Sequence, residues 1–158
     1  MEHIALVDSL EKVKSLGNNY NRIYYGNEFC DNLIPSIIEI EEVFKLCEKK
    51  GFEISIMTPY IKQNNIEKAN SLIKYLFEIY PDTEIIVNDY GTLHLLGNEY
   101  KKLKIVLGRI FSRQKRGFMI NKPEIPDYSK NIIKTESENK YLKESILQNK
   151  YAIDFFKD

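Results

Sequence analysis

The chain has 158 residues, 43% of them hydrophobic and 29% charged. That make-up predicts one soluble globular domain and excludes a disordered chain. The 23 basic and 23 acidic side chains balance, which excludes a globally basic nucleic-acid binder and leaves only local basic patches to consider. Cys30 and Cys47 are too few for a disulfide scaffold or a four-cysteine metal site. The opening "MEHIALVDSLEK" lacks the basic start and long apolar centre of a secretory leader, and no stretch approaches the roughly 20 apolar residues that cross a bilayer. A cytoplasmic protein with no membrane partner is the expectation.

Residues 3–7, "HIALV", read as a short buried strand, after which Asp8 is the expected cap of "SLEKVKSLG". Leu10, Val13 and Leu16 recur there at helical spacing before Gly17. "RIYYG" at 22–26 is the second strand, followed by an irregular "NEFCDNLIP". Ser36 and Glu39 form a capping box ahead of the stripe Ile37, Ile40, Val43, Phe44 and Cys47, which Gly51 stops. "FEISIMT" at 52–58 is the third strand. Asn64 with Glu67 is expected to open the next helix, lined by Ile66, Ala69, Leu72, Ile73, Leu76 and Tyr80 and ended by Pro81. "EIIV" at 84–87 is the fourth strand, and the short helix "TLHLL" follows. "LKIVLGRIF" at 103–111 is the fifth.

Strands apolar on nearly every residue, alternating with amphipathic helices, predict an α/β domain whose parallel sheet is buried on both faces, with right-handed crossovers. Residues 112–136 hold a basic run and little periodicity and read as a long loop. A terminal helix is expected over 137–158, with Tyr141, Leu142, Ile146, Tyr151, Ile153 and Phe156 as its inner face. A helix at that place in a βα repeat normally leads into another strand, so about five strands read as the first half of a TIM-like (β/α) barrel, an incomplete one.

In parallel α/β sheets ligands sit beyond the carboxyl ends of the strands. That rule collects Asp8 after strand one, Asn27, Glu28 and Cys30 after strand two, Thr58 and Tyr60 after strand three, Asn88, Asp89 and Tyr90 after strand four, and Arg109 and Arg113 at strand five. Of these, Glu28, Cys30 and Asp89 are the candidate catalytic groups. A cysteine nucleophile needs a base, and the only histidines are His3, on the opposite rim, and His94, inside "TLHLL". Asp8 and Asp89 each have a plain capping role open to them. Asn88 is harder to assign to capping, because two polar groups in sequence leave one over. Gly91 is expected to supply a backbone conformation other residues resist. Cys47 lies on an apolar stripe and reads as core. The run "GRIFSRQKR" gathers Arg109, Arg113, Lys115 and Arg116, a set suited to phosphate, an anionic substrate or an RNA backbone, or to a solvated loop. Most of the 11 tyrosines fall at positions that pack.

Three stretches in this order, "YYGNEFCDNLIPS" at 24–36, "VNDYGTLHLL" at 87–96 and "VLGRIFSRQKRG" at 106–117, resemble the amino-terminal half of the collagenase-like peptidases of family U-thirty-two. The resemblance covers roughly residues 3–120. It implies a (β/α) barrel in which Asn88, Asp89 and Gly91 match the family's "ND-G" junction, and Gly108 and Arg109 its "LGR" strand. It also implies a peptidase-like hydrolase, or a relative that takes part in hydroxylating RNA or quinone precursors, some with an iron-sulfur cluster. The family's downstream cysteine signature has no counterpart in this chain, so no cofactor is expected here, and a cluster would need downstream cysteines. Expected partners are a peptide or anionic substrate bound by Asn88, Tyr60, Arg109, Arg113, Lys115 and Arg116, RNA on the basic run, or a second copy through an open sheet edge in a noncatalytic assembly module.

Overall fold

Short β-branched runs joined by amphipathic helices decide the architecture. A computed structural model describes residues 1–111, 145, 148 and 150–157, and the chain divides into two units, Met1–Gly108 and Arg109–Asp158. The first unit holds strands β1 (Ile4–Val7), β2 (Arg22–Gly26), β3 (Glu53–Met57), β4 (Glu84–Val87) and β5 (Lys104–Leu107). Between them lie helices α1 (Leu10–Ser15), α2 (Ile37–Lys50), α3 (Ile66–Ile79) and α4 (Tyr90–Glu99), with 3₁₀ turns at Asp31–Leu33 and Gln63–Asn65. The strand order is β1-β2-β3-β4-β5 and every neighbouring pair is parallel. A doubly wound sheet would reverse its strand order at a switch point. This one does not, and has the arrangement of half a (β/α) barrel.

Alternation along the strands gives the sheet two different faces. Register aligns Ile23 with Ile54, and Ile56 with Ile85 and with Tyr25. This set looks toward the helices: the Tyr25 hydroxyl donates to Glu39 on α2. The core is built here, with Val7, Val13, Ile23, Ile40, Val43, Ile56, Leu72, Ile73, Leu76, Ile85 and Val87 all buried. Burying each such side chain contributes about 1.5–3 kcal/mol. The opposite face carries Ile4, Leu6, Arg22, Glu53, Ser55, Glu84 and Lys104 in the leading halves of the strands, and Met57, Ile86 and Asn88 in the trailing halves. The expectation of two apolar, buried faces thus holds only toward the trailing ends. Leu6 is 63% exposed, and each of β2 to β5 opens on a charged residue of this face, Arg22, Glu53, Glu84 and Lys104.

The helix boundaries follow local chemistry. Ser36 Oγ accepts from Glu39 N–H at 3.2 Å, and Gly51, at φ 71°, closes α2 by donating to the carbonyls of Cys47 and Glu48. Only half of the expected capping box forms, because the Glu39 carboxylate is taken by Tyr25. Asp8 does not cap α1; Ser9 holds that position without a side-chain bond, and Asp8 Oδ1 instead pairs with Lys12 Nζ at 2.6 Å. Asn64 does not open α3. The residue before it is Asn65, whose amide is engaged elsewhere. Aromatic packing ties the helices together: Phe44 stacks on Tyr80 with ring centroids 3.8 Å apart. The Tyr75 hydroxyl donates to Glu41 at 2.8 Å, and burial followed by that carboxylate pushes Tyr75 up to about 12.

In the second unit the expected helix over 137–158 is described as α5 (Lys150–Lys157). Tyr151, expected on its inner face, is exposed, and Ile153 is half-buried. The expected inner residues Tyr141, Leu142 and Ile146 and the loop 112–136 lie outside the described residues.

Candidate ligand face at the trailing ends of the strands

Parallel register brings the loops after β2, β3 and β4 to one rim, because each strand pair is aligned to within its own length. The ends of β3, β4 and β5 are laced together there. Thr58 N–H and Oγ1 both donate to the Ile86 carbonyl, at 2.9 and 3.1 Å. Asn88 Nδ2 donates back to the Thr58 carbonyl at 2.8 Å, and Gly108 N–H donates to the Val87 carbonyl at 2.8 Å.

Asn88 is fully buried. Its Nδ2 bond fixes the amide plane and turns Oδ1 toward Gly108, and this oxygen has no hydrogen-bond partner among the described residues. Leaving a buried acceptor unsatisfied costs roughly 1–3 kcal/mol. A Cβ on Gly108 would stand 2.2 Å from Asn88 Oδ1 and 2.8 Å from the Val87 carbonyl oxygen. The glycine of "LGR" is therefore the space into which the asparagine of "ND-G" fits. The two stretches, 20 residues apart, form one piece of structure.

Asp89 next door is spent on geometry. Its Oδ1 accepts from Thr92 N–H at 2.8 Å and its Oδ2 from Thr92 Oγ1 at 2.7 Å, so it caps α4 two residues earlier than the "TLHLL" pattern suggests. Gly91 sits inside α4 with no left-handed φ; among the described residues the positive-φ glycines are Gly26 and Gly51. The expectation of a special conformation at Gly91 is therefore overturned, and the conformation falls at Gly26. There φ is 131° and a Cβ would lie 2.3 Å from the Met57 carbonyl oxygen.

The loop after β2 is shaped by Asn27, whose Oδ1 accepts from the N–H groups of Phe29 and Cys30, both at 2.9 Å. Glu28 and Cys30 are half-buried on it. Neither histidine is bonded to Cys30: His3 immediately precedes β1, and His94, exposed on α4, lines a cavity with Ile61 and Asp89 and has Asn98 Nδ2 3.0 Å from its Nε2. Cys30 thus has no imidazole base. Tyr60 is exposed on the loop after β3. Cys47 is buried in α2, and burial pushes its thiol up to about 11. Arg109 follows Gly108 as the first residue of the second unit; Arg113, Lys115 and Arg116 lie outside the described residues.

One buried carboxylate escaped the sequence reading. Asp31 accepts from Lys62 N–H at 3.1 Å and from Asn65 Nδ2 at 2.9 Å. The Asn65 bond, joined by the N–H and the charge of Lys62, outweighs burial and holds its carboxyl below the usual carboxylate range. The signal available in sequence was an Asp in a loop between two apolar runs, which describes most surface aspartates equally well.

Among the described residues, no group of three or more His, Cys, Asp and Glu gathers as metal ligands, and no helix is long and apolar enough to cross a membrane. What fold and rim define is a parallel (β/α) half-barrel with polar groups at the trailing strand ends. No family profile, curated protein or solved structure matches this chain.

Proposed function

We propose that this chain is the leading part of a (β/α) barrel of the collagenase-like peptidase type and that it binds a polar ligand on the rim formed by Asn88, Tyr60 and the loop carrying Glu28 and Cys30. The observation that carries the reading is the interlock of Asn88 with Gly108. It supports the resemblance because it joins the two motif stretches physically. It supports binding because it holds the strand ends rigid, so that exposed rim groups such as Tyr60 would meet a ligand with little reorganisation. Consecutive parallel strands support the same placement.

The geometry favours binding over bond cleavage by these residues. Cys30 lacks a histidine, and both oxygens of Asp89 are occupied by Thr92. The test is an amide-resolved NMR titration with peptides from digested gelatin. Shifts gathered at Thr58, Tyr60 and Asn88, and weakened in Asn88→Ala, are expected. Shifts confined to the leading ends around Arg22 and Glu84, or none at millimolar peptide, would overturn the placement. Peptide cleavage that survives both Cys30→Ala and Asp89→Ala would remove these residues from any hydrolytic role.

A further inference from the structure

We propose that Asp31 is a positioning residue that latches the second and third rim loops into one rigid element, and that its protonation unlatches them. The inference rests on the reading of this rim as a ligand face and concerns how the face is held and regulated.

An ionised carboxylate is costly to bury unless it is paired and hydrogen-bonded. Asp31 is 2% exposed, and its partners come from the other loop. Oδ2 takes Lys62 N–H and Asn65 Nδ2, and Lys62 Nζ stands 3.8 Å from Oδ1. Asn65 Nδ2 also reaches Asn32 Oδ1 at 3.4 Å. Asp31 begins a 3₁₀ turn whose N-cap is Cys30, its own backbone N–H also favours the ionised carboxylate, and the loop before it is shaped by Asn27. What the carboxylate does is join the loops after β2 and β3.

Phe29, Leu33 and Tyr60 lie within two residues of these bonds, 66%, 57% and 59% exposed respectively. Three apolar groups are thus carried to the rim on a hydrogen-bonded frame. A frame that is ordered in advance spares a ligand the cost of ordering loops on binding.

Lys62 is the charged group facing Asp31; Asn65 and Asn32 do not titrate. Because Asp31 is held below its ordinary range by Asn65 and Lys62, the latch contributes stability above the ordinary carboxylate range. It loses that contribution as pH falls through the depressed value. Asp31→Asn retains an oxygen able to take both donors, so it separates geometry from charge.

The test is the protection factor of the Lys62 amide in the full chain, measured by hydrogen exchange from pH 7 down to pH 2, with the Ile23 and Ile85 amides as reporters of the intact sheet. In the unaltered protein, protection at Lys62 should drop about tenfold with acid, the scale of one hydrogen bond to a charged group. Asp31→Asn should show a flat profile, and Asp31→Ala about tenfold less protection throughout. Equal protection in Asp31→Ala and the unaltered protein, with the sheet amides unchanged, would overturn the proposal. So would an acid loss in Asp31→Asn matching that of the unaltered protein. If Asp31→Ala loses the sheet amides, the Asn variant's profile decides alone. No ligand is needed, so a flat profile in the unaltered protein sinks the latch and leaves the binding face standing, whereas absent gelatin-peptide shifts sink the face and leave the latch.

Discussion

The two ends of the sheet use polar residues in opposite ways. At the leading end Arg22 bonds Glu2 at 2.7 Å, Glu84 at 2.9 Å and Ser55 at 3.1 Å, and also reaches Glu53. Ser55 Oγ in turn donates to Glu84 at 3.0 Å. Burial disfavours the guanidinium charge, but the Glu2 hydrogen bond and the charges of Glu84 and Glu53 outweigh it and raise Arg22 above its ordinary value. A single cation so joins three strands and the amino-terminal segment, and its groups satisfy one another. At the trailing end, Asp31 and Asn27 spend their oxygens on donors of the loops and the turn beside them, Asp89 spends its own on the first turn of α4, and Asn88 Oδ1 is left over. The leading end is a closed polar network suited to holding strands together; the trailing end is built of loops around a buried acceptor that no described donor satisfies.

Substitutions can break that contrast in order of expected size. Gly108→Ala drives a methyl into Asn88 and the Val87 carbonyl, and a loss of about 3 kcal/mol in urea unfolding is expected from such overpacking. Arg22→Met takes the cation from Glu84, which retains the Ser55 Oγ donor, and should cost about 2 kcal/mol. Glu53→Gln, which alters a carboxylate that is itself mostly exposed, should fall within about 0.5 kcal/mol. An equal cost for these two would show that the leading network is not centred on Arg22. Asp89→Ala removes the α4 cap and should cost about 1 kcal/mol, while Asp89→Asn recovers most of it. A large loss in Asp89→Asn would mean that charge, not capping, is what the residue supplies.

The periodic parts of this chain were legible in sequence. Alternating β-branched runs and helical stripes located five strands and the helices between them, because burial against one neighbour layer enforces those periods. Ser36 and Gly51 marked α2 correctly for the same local reasons. The misplacements share one cause. Asp8, Asn64 and Gly91 each fit a local rule, but Asp8 is drawn to Lys12, the neighbouring Asn65 is drawn to Asp31, and Gly91 is absorbed into a longer helix. Competition from tertiary partners is invisible in a single sequence. Asn88 and Asp89 were both placed on the rim. Which one caps α4 and which faces Gly108 required the register of β4 and β5. Asp31 was missed because its partners lie 31 and 34 residues away.

The interlock at the trailing end is tested most directly by a double-mutant cycle between Gly108→Ala and Asn88→Ala, read by denaturant unfolding. If the asparagine amide fills the space a side chain at 108 would need, removing it relieves part of the clash, and the two losses should differ from additivity by about 1 kcal/mol or more. Losses that add to within about 0.3 kcal/mol would contradict the packing of these two residues, and with it the rim on which the proposed binding depends.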